Sequence, residues 1–174
     1  MGYYDQNPKE LERLVKQDRK RLEREDQKVL KKEEQQNREF DVRYERELKR
    51  RRQTTKWAQL ESILYKLGGK RIVLMPEPKR EIDNLVSRGK IFKLHIRRMN
   101  GAQSQCHTNT AKLWYKYDGF IICTGYVLND DGLWRQHSWG IYRKKLIETT
   151  DERDIYFGYE MNDNEAADFY EENV

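Results

Sequence analysis

The sequence predicts a mixed α+β chain: a long charged N-terminal helix, then a small domain in which a helix packs on an antiparallel sheet. Three observations predict it. Residues 9–67 contain no Gly and no Pro and are rich in helix formers. From Phe120 onward, apolar runs of strand length alternate with turn signals. Just before them, residues 108–117 keep a helical composition that closes at Asp118-Gly119. Three regions follow: 1–67, a charged arm; 68–159, the folded domain; 160–174, an acidic tail.

Composition supports that division. Charged residues make up 37% of the 174 and hydrophobic ones 36%, too polar a balance for one compact globule. The middle of the chain holds all four Trp and both Cys, and about 100 residues is enough to fold alone. Two cysteines make no disulfide framework. With no signal peptide and no apolar run of membrane-spanning length, the expectation is a cytoplasmic protein with reduced thiols and no membrane partner. The net charge of +5 points only weakly to nucleic acid, because acids are interspersed with the bases.

In chain order, Asn7-Pro8 starts the first helix, with Asn7 as cap and Pro8 in the first helical position. Opposite charges fall four apart, as at Glu12 and Lys16. Val15, Leu22 and Val29 recur every seven residues, but the matching seam is Leu11, Asp18, Glu25 and Lys32. A coiled coil needs both seams apolar, so this is an exposed helix or a weak coiled coil. Trp57, Leu60, Ile63, Leu64 and Leu67 form a true apolar stripe where the helix end docks on the core, and Gly68-Gly69 ends it. Ile72 to Met75 is a short apolar run broken by Pro76-Glu77-Pro78. Lys79 to Ser87 reads as a helix, and Ile91 to Arg97 is ambiguous. Strands are expected at 120–128, 133–142, 145–150 and 155–159, with Asn129 to Gly132 as a hairpin turn. The acidic tail reads as a marginal helix over 164–172.

Cys106, His137 and Glu148 carry the chemistry. Taken singly each has a bland reading: a packed thiol, a satisfied strand histidine, a solvent-facing acid. Their order and spacing join them. Side chains alternate on a strand, so Arg135, His137, Trp139 and Ile141 share a face. A tight turn centred on Tyr142-Arg143 pairs Trp139 with Leu146 and sets His137 directly opposite Glu148. Cys106 precedes the helix, whose N-terminus favours a thiolate, as does a protonated imidazole. Glu148 would fix the His137 tautomer. The oxyanion would meet the Cys106 backbone N–H and a second donor, with Gln103 and Gln105 as candidates. Trp134 and Trp139 are candidates to line a substrate cleft, although Trp139 could equally roof His137. His107 points elsewhere on the helix, Asn109 caps or braces its start, His95 is unplaced and Cys123 is core. Cys106, His107, Cys123 and His137 lack the paired-ligand spacing of zinc motifs, and no phosphate loop is present, so neither metal nor cofactor is expected.

From Cys106 to Gly158, about a third of the chain, the sequence resembles the transglutaminase-like branch of the papain-like cysteine superfamily. The resemblance lies in Cys106 opening a helix, Gly125-Tyr126 ending a strand motif, His137-Ser138-Trp139, and Glu148-Thr149-Thr150. It implies a papain-like domain with Cys106 as nucleophile, His137 as base and Glu148 as orienting acid. It implies chemistry on amides through a thioester: peptide or isopeptide cleavage, glutamine deamidation, or transfer to an amine. The third residue is usually Asp in that family and is Glu here. A protein or peptide substrate is expected, with helix 9–67 as a docking arm. The competing function is a non-catalytic interaction protein whose Arg50-Arg51-Arg52 cluster binds a partner or nucleic acid. A cell-wall amidase is a third reading, disfavoured by the lack of an export signal.

Overall fold

The computed structural model describes residues 8–74 and 79–174; the Asn7 cap and the break at Pro76-Glu77-Pro78 lie outside them. The chain is mixed α+β, with a long N-terminal helix and a small sheet domain. Helix α1 runs Pro8–Arg51 and α2 Thr55–Leu67. The described residues fall into two compact units, divided between Glu47 and Leu48.

Within the first unit, α1 is exposed over most of its described length, Tyr44 being buried, and it carries i,i+4 ion pairs such as Lys16–Glu12 (2.8 Å) and Arg19–Glu23 (3.2 Å). Each such exposed pair is worth about 0.3–0.5 kcal/mol. The helix expected to run unbroken to Leu67 instead stops at Arg51. The Arg52 guanidinium holds Glu61 through two hydrogen bonds of 2.6 and 2.8 Å. Thr54 is extended (φ −94°, ψ 125°) and its hydroxyl donates to the Arg51 carbonyl. A local hydroxyl bond competes with the helical ladder, and β-branching favours the extended form. The break sends α2 off with Trp57, Leu60 and Leu64 buried.

One seven-stranded sheet forms the second unit. Its strands are β1 (Arg71–Ile72), β2 (Lys90–Ile91), β3 (Ile96–Arg98), β4 (Ile121–Leu128), β5 (Leu133–Tyr142), β6 (Lys145–Glu148) and β7 (Ile155–Glu160). The order is β2-β7-β4-β5-β6-β3, with β1 beside β5. The sheet is mixed rather than purely antiparallel, because β1 pairs β5 and β3 pairs β6 in parallel. The ambiguous 91–97 segment supplies two short strands rather than one. Three helices complete the unit: α3 (Lys79–Arg88), α4 (Cys106–Lys116) and α5 (Asp163–Asn173).

Strand alternation divides the core. Trp134, Tyr126, Leu128, Phe157 and Tyr159 meet Trp57, Leu60 and Leu64 of α2 and Leu85 of α3. Phe92, Cys123, Val127, Trp139, Leu146 and Tyr156 form the second cluster. The acidic tail is a firm element. Asn162 accepts from the Glu165 N–H and the Glu165 carboxylate accepts from the Asn162 N–H, a capping box. Its aromatic side docks on α4, where Tyr115 stacks on Tyr170 at 5.0 Å.

The β5–β6 hairpin turns on Arg143-Lys144, not Tyr142-Arg143. Observed pairs are Gly140 with Ile147, Ile141 with Leu146 and Tyr142 with Lys145. Both turn residues lie in the left-handed region (φ 50° and 61°), the two-residue geometry that matches strand twist. The register therefore differs by two residues from the expected one. A two-residue shift keeps every side chain on its face.

Candidate active site

A gap in the sheet brings the cysteine to the histidine. On the side away from β4, β5 pairs with β1 at Leu133–Trp134 and with β6 only from Gly140. Among the described residues no strand covers 135–139 there. Backbone groups of alternate residues point to the same side of a strand. Trp134 offers its carbonyl to Val73 of the chain after β1, and Gly140 faces Ile147. Ser138 is in phase with both, so its N–H and carbonyl open into the gap. The start of α4 fills it: the Thr110 hydroxyl donates to the Ser138 carbonyl at 3.3 Å.

Cys106 is the first residue of α4, two residues before the expected start, and Gln105 is its N-cap. The preceding loop is tied down. The Met99 N–H donates to the Glu148 carbonyl and the Gly101 N–H to that of Thr149. Asn109 clamps Ala102 from both sides, Oδ1 accepting from its N–H and Nδ2 donating to its carbonyl. The segment carrying the acid thus also anchors the approach to the cysteine.

The Cys106 thiol is half-buried and within hydrogen-bonding reach of His137. Burial acts to raise its pKa. The bond from His137, the nearby imidazolium charge and backbone hydrogen bonds from Ser138 and His107 outweigh burial and lower it below 9.0. Cys123 is the contrast: fully buried, its thiol is pushed well up.

His137 lies in the wall of the site, 5% exposed. Its Nε2 is 2.9 Å from Oε2 and 3.1 Å from Oε1 of Glu148. A carboxylate only accepts, so Nε2 carries a proton and Nδ1 is left for Cys106. Burial disfavours the charged ring, but its bonds to Cys106 and Glu148 raise its pKa to about 9.

Glu148 is fully buried and held on both oxygens. Oε1 accepts from the Thr149 N–H (2.8 Å), the Thr150 N–H (2.8 Å) and the Thr150 hydroxyl (3.0 Å). Oε2 accepts from the Tyr156 hydroxyl at 2.8 Å. Burial alone would raise this carboxyl; His137 and these donors hold it down at about 2. Thr150 stood in the sequence motif, but its bonds to the acid were not foreseen, and nothing in the local pattern pointed to Tyr156.

Trp139 does not line a cleft. It is fully buried, nearly parallel to His137 at 6.3 Å, and meets Phe92 and Tyr156 edge-on. It is the floor beneath the imidazole. Trp134 is likewise buried, its indole N–H on the Gly68 carbonyl. Gln103 and Gln105 are exposed on the loop before Cys106, and Gln105 makes no side-chain cap. His95 is exposed between β2 and β3.

His107 faces the other side of the sheet. Its Nδ1 is 2.6 Å from the Ser138 hydroxyl and its ring meets Phe169 edge-on. Burial and the His137 charge hold its pKa down at about 4. A cleft of about 250 Å³ lies beyond it, lined by Glu81, Gln136, Asp168, Phe169 and Glu172 among others. Among the described residues, no three His, Cys, Asp or Glu are grouped to hold a metal ion. No described helix is long and apolar enough to cross a membrane. Of the basic cluster, Arg52 is bound to Glu61 and the Arg51 guanidinium lies 4.8 Å over the Trp57 ring.

A thiol, an imidazole and a carboxylate thus form one connected series, with the sulfur at a helix start. Such an arrangement can hold a thiolate beside an imidazolium, attack an electrophilic carbon and return a proton to a leaving group. Compared with protein-family models, curated proteins and solved structures, the chain has no match.

Proposed function

We propose that this chain is a cysteine-dependent hydrolase or acyl-transferase that acts on an amide through Cys106, His137 and Glu148. The connected series from sulfur to imidazole to buried carboxylate carries the reading. The likeness of Cys106, His137-Ser138-Trp139 and Glu148-Thr149-Thr150 to the transglutaminase-like branch of the papain-like superfamily supports it.

The Cys106 thiolate adds to the carbonyl carbon, and the oxyanion meets the Cys106 backbone N–H at the helix start. His137 gives its Nδ1 proton to the amide nitrogen as the C–N bond breaks. A thioester remains on Cys106 and a free amine or ammonia leaves. His137, now neutral, takes a proton from water or an incoming amine, which attacks the thioester and restores the thiol pair. Glu148 keeps its charge throughout and steadies the imidazolium. The substrate is a protein or peptide amide, α1 is the arm that docks a partner, and the setting is the cytoplasm.

Iodoacetamide labelling followed by peptide mass spectrometry tests the reading, together with amine or ammonia release from peptide amides. Cys106 is expected to label at pH 6 well ahead of a free thiol, and His137→Ala to remove that advantage. Ordinary Cys106 reactivity, indifferent to His137→Ala, would sink the proposal.

A further inference from the structure

Ser138 is fully buried, and its polar groups turn to the first turn of α4. Its carbonyl accepts from the Thr110 hydroxyl at 3.3 Å and its hydroxyl meets His107 Nδ1 at 2.6 Å. The backbone N–H groups of Ser138 and His107 both favour the Cys106 thiolate. The two residues are thus joined through their own side chains, across the seam between α4 and β5, beside the thiolate. We infer that His107 and Ser138 form a clasp that positions the Cys106 thiolate. This inference rests on Cys106 being the nucleophile and adds the positioning residues that set its reactivity.

Hydrogen-bond direction along the clasp follows from its far end. Glu81 on α3 accepts on Oε2 from the Gln136 amide and on Oε1 from the Thr124 hydroxyl, each at 3.1 Å. Thr124 Oγ1, having donated, accepts from the Ser138 hydroxyl at 3.2 Å. The alternative for Thr124, the His137 carbonyl at 3.5 Å, is too long to compete. Ser138 has then spent its proton and must accept from His107, which carries its hydrogen on Nδ1. The ring so fixed is neutral, consistent with its depressed pKa. A second positive charge beside His137 is avoided while the clasp stays closed. The titratable groups around the sulfur are His137, with Glu148 behind it, and His107. Glu81 ends the hydroxyl chain, and Asp168 and Glu172 lie across the cleft from His107.

The test uses the full-length chain, with the Cys106 thiolate titrated by ultraviolet absorbance and by iodoacetamide rate against pH. Ser138→Ala and His107→Phe are expected to raise the Cys106 pKa by about one unit, so labelling at pH 6 drops about ten-fold; the limiting rate at high pH is unchanged. His107→Asn, whose amide nitrogen can stand where Nδ1 does, is expected to restore most of the loss. A folded Ser138→Ala protein with the wild-type pKa overturns the clasp, as does a variant that lowers Tm alone. If Ser138→Ala does not fold, the His107 pair decides by the same criteria. A wild-type pKa of about 8.5 removes both the clasp and the nucleophile reading; a low wild-type pKa untouched by the variants removes only the clasp.

Discussion

His137 and Glu148 meet on a diagonal. Continuing the observed pairing past Gly140 and Ile147 sets Glu148 opposite Trp139, one same-face position away from His137. Diagonal neighbours are separated by about 7–8 Å, against about 4.5–5.5 Å for directly opposed residues. A longer side chain suits that offset, and Glu is one methylene longer than Asp. Its extra methylene lets Oε2 reach Nε2 at 2.9 Å while Oε1 stays on the Thr149 and Thr150 N–H groups.

Glu148→Asp should therefore be a poor substitute despite keeping the charge. The shorter side chain can hold the threonine N–H groups or the imidazole, not both. A misplacement of about 1 Å costs about a hundred-fold in rate, and that loss of kcat/KM is expected. Glu148→Gln keeps the length and loses the charge, so a loss of about a thousand-fold or more is expected, with a lowered His137 pKa. Equal activity of Glu148→Asp and wild type would contradict the diagonal account.

How much of this was legible beforehand depends on what each signal encodes. Alternation encodes the face of a strand residue, so placing His137 and Glu148 on one face needed only their parity. Absolute register is set by the turn, and Arg143-Lys144 adopts a turn geometry usually marked by Asn-Gly. The break after Arg51 was hidden because residues 52–54 lack Gly and Pro; it comes from a threonine hydroxyl and the distant partner Glu61. The tail helix carried a readable signal, Asn162-x-x-Glu165, behind its acidic composition. The gap at residues 135–139 of β5 was not legible, because it depends on where two other strands stop.

The pH dependence follows from the charge states. Turnover is expected to rise as pH climbs through the lowered Cys106 pKa. It should fall as pH passes about 9, where His137 loses the proton it must deliver. For stability, His137 is raised from 6.5 to about 9, so its contribution is complete below 6.5 and fades through 9. Glu148 is lowered from 4.5 to about 2, so its contribution is present above 4.5 and fades towards 2. Cys106, lowered below 9.0, acts in the opposite sense to His137 and blunts the alkaline loss. The clearer signature is a Tm that drops steeply as pH falls below about 4.5, and a flat acid limb down to pH 2 would contradict it.

Tyr156→Phe isolates one donor to the acid. The hydroxyl gives Glu148 Oε2 a 2.8 Å bond, and the phenol is held protonated by burial and by the Glu148 charge. Removing it should cost about 1.5–3 kcal/mol, read from urea denaturation, as expected for a hydrogen bond to a charged group. Activity should fall only several-fold, because His137 and both threonine N–H groups still hold the carboxylate.

Gly101→Ala reports on the loop before the cysteine. An added Cβ would lie 2.4 Å from Asn109 Nδ2 and 2.5 Å from its Cγ, displacing the side chain that clamps Ala102. Overpacking of this kind costs about 1–3 kcal/mol. The expected outcome is a lowered Tm and slower Cys106 labelling together. Asn109→Ala should release the same loop, and Gly101→Ala should add little in that background because the clash is gone.

Truncation tests where the folded unit begins. Trp57, Leu60 and Leu64 of α2 are at most 1% exposed and pack with Trp134, Tyr126 and Phe157 of the sheet. Deleting even one such side chain typically costs about 2–5 kcal/mol. A chain starting at residue 68 loses all three, a cost comparable to the whole stability of a small domain, about 5–15 kcal/mol. A chain starting at residue 48 keeps α2 and the Arg52–Glu61 bond. The 48–174 fragment is therefore expected to melt cooperatively and keep fast Cys106 labelling, while 68–174 shows neither. A cooperative transition in 68–174 by calorimetry would show that α2 is not part of the core.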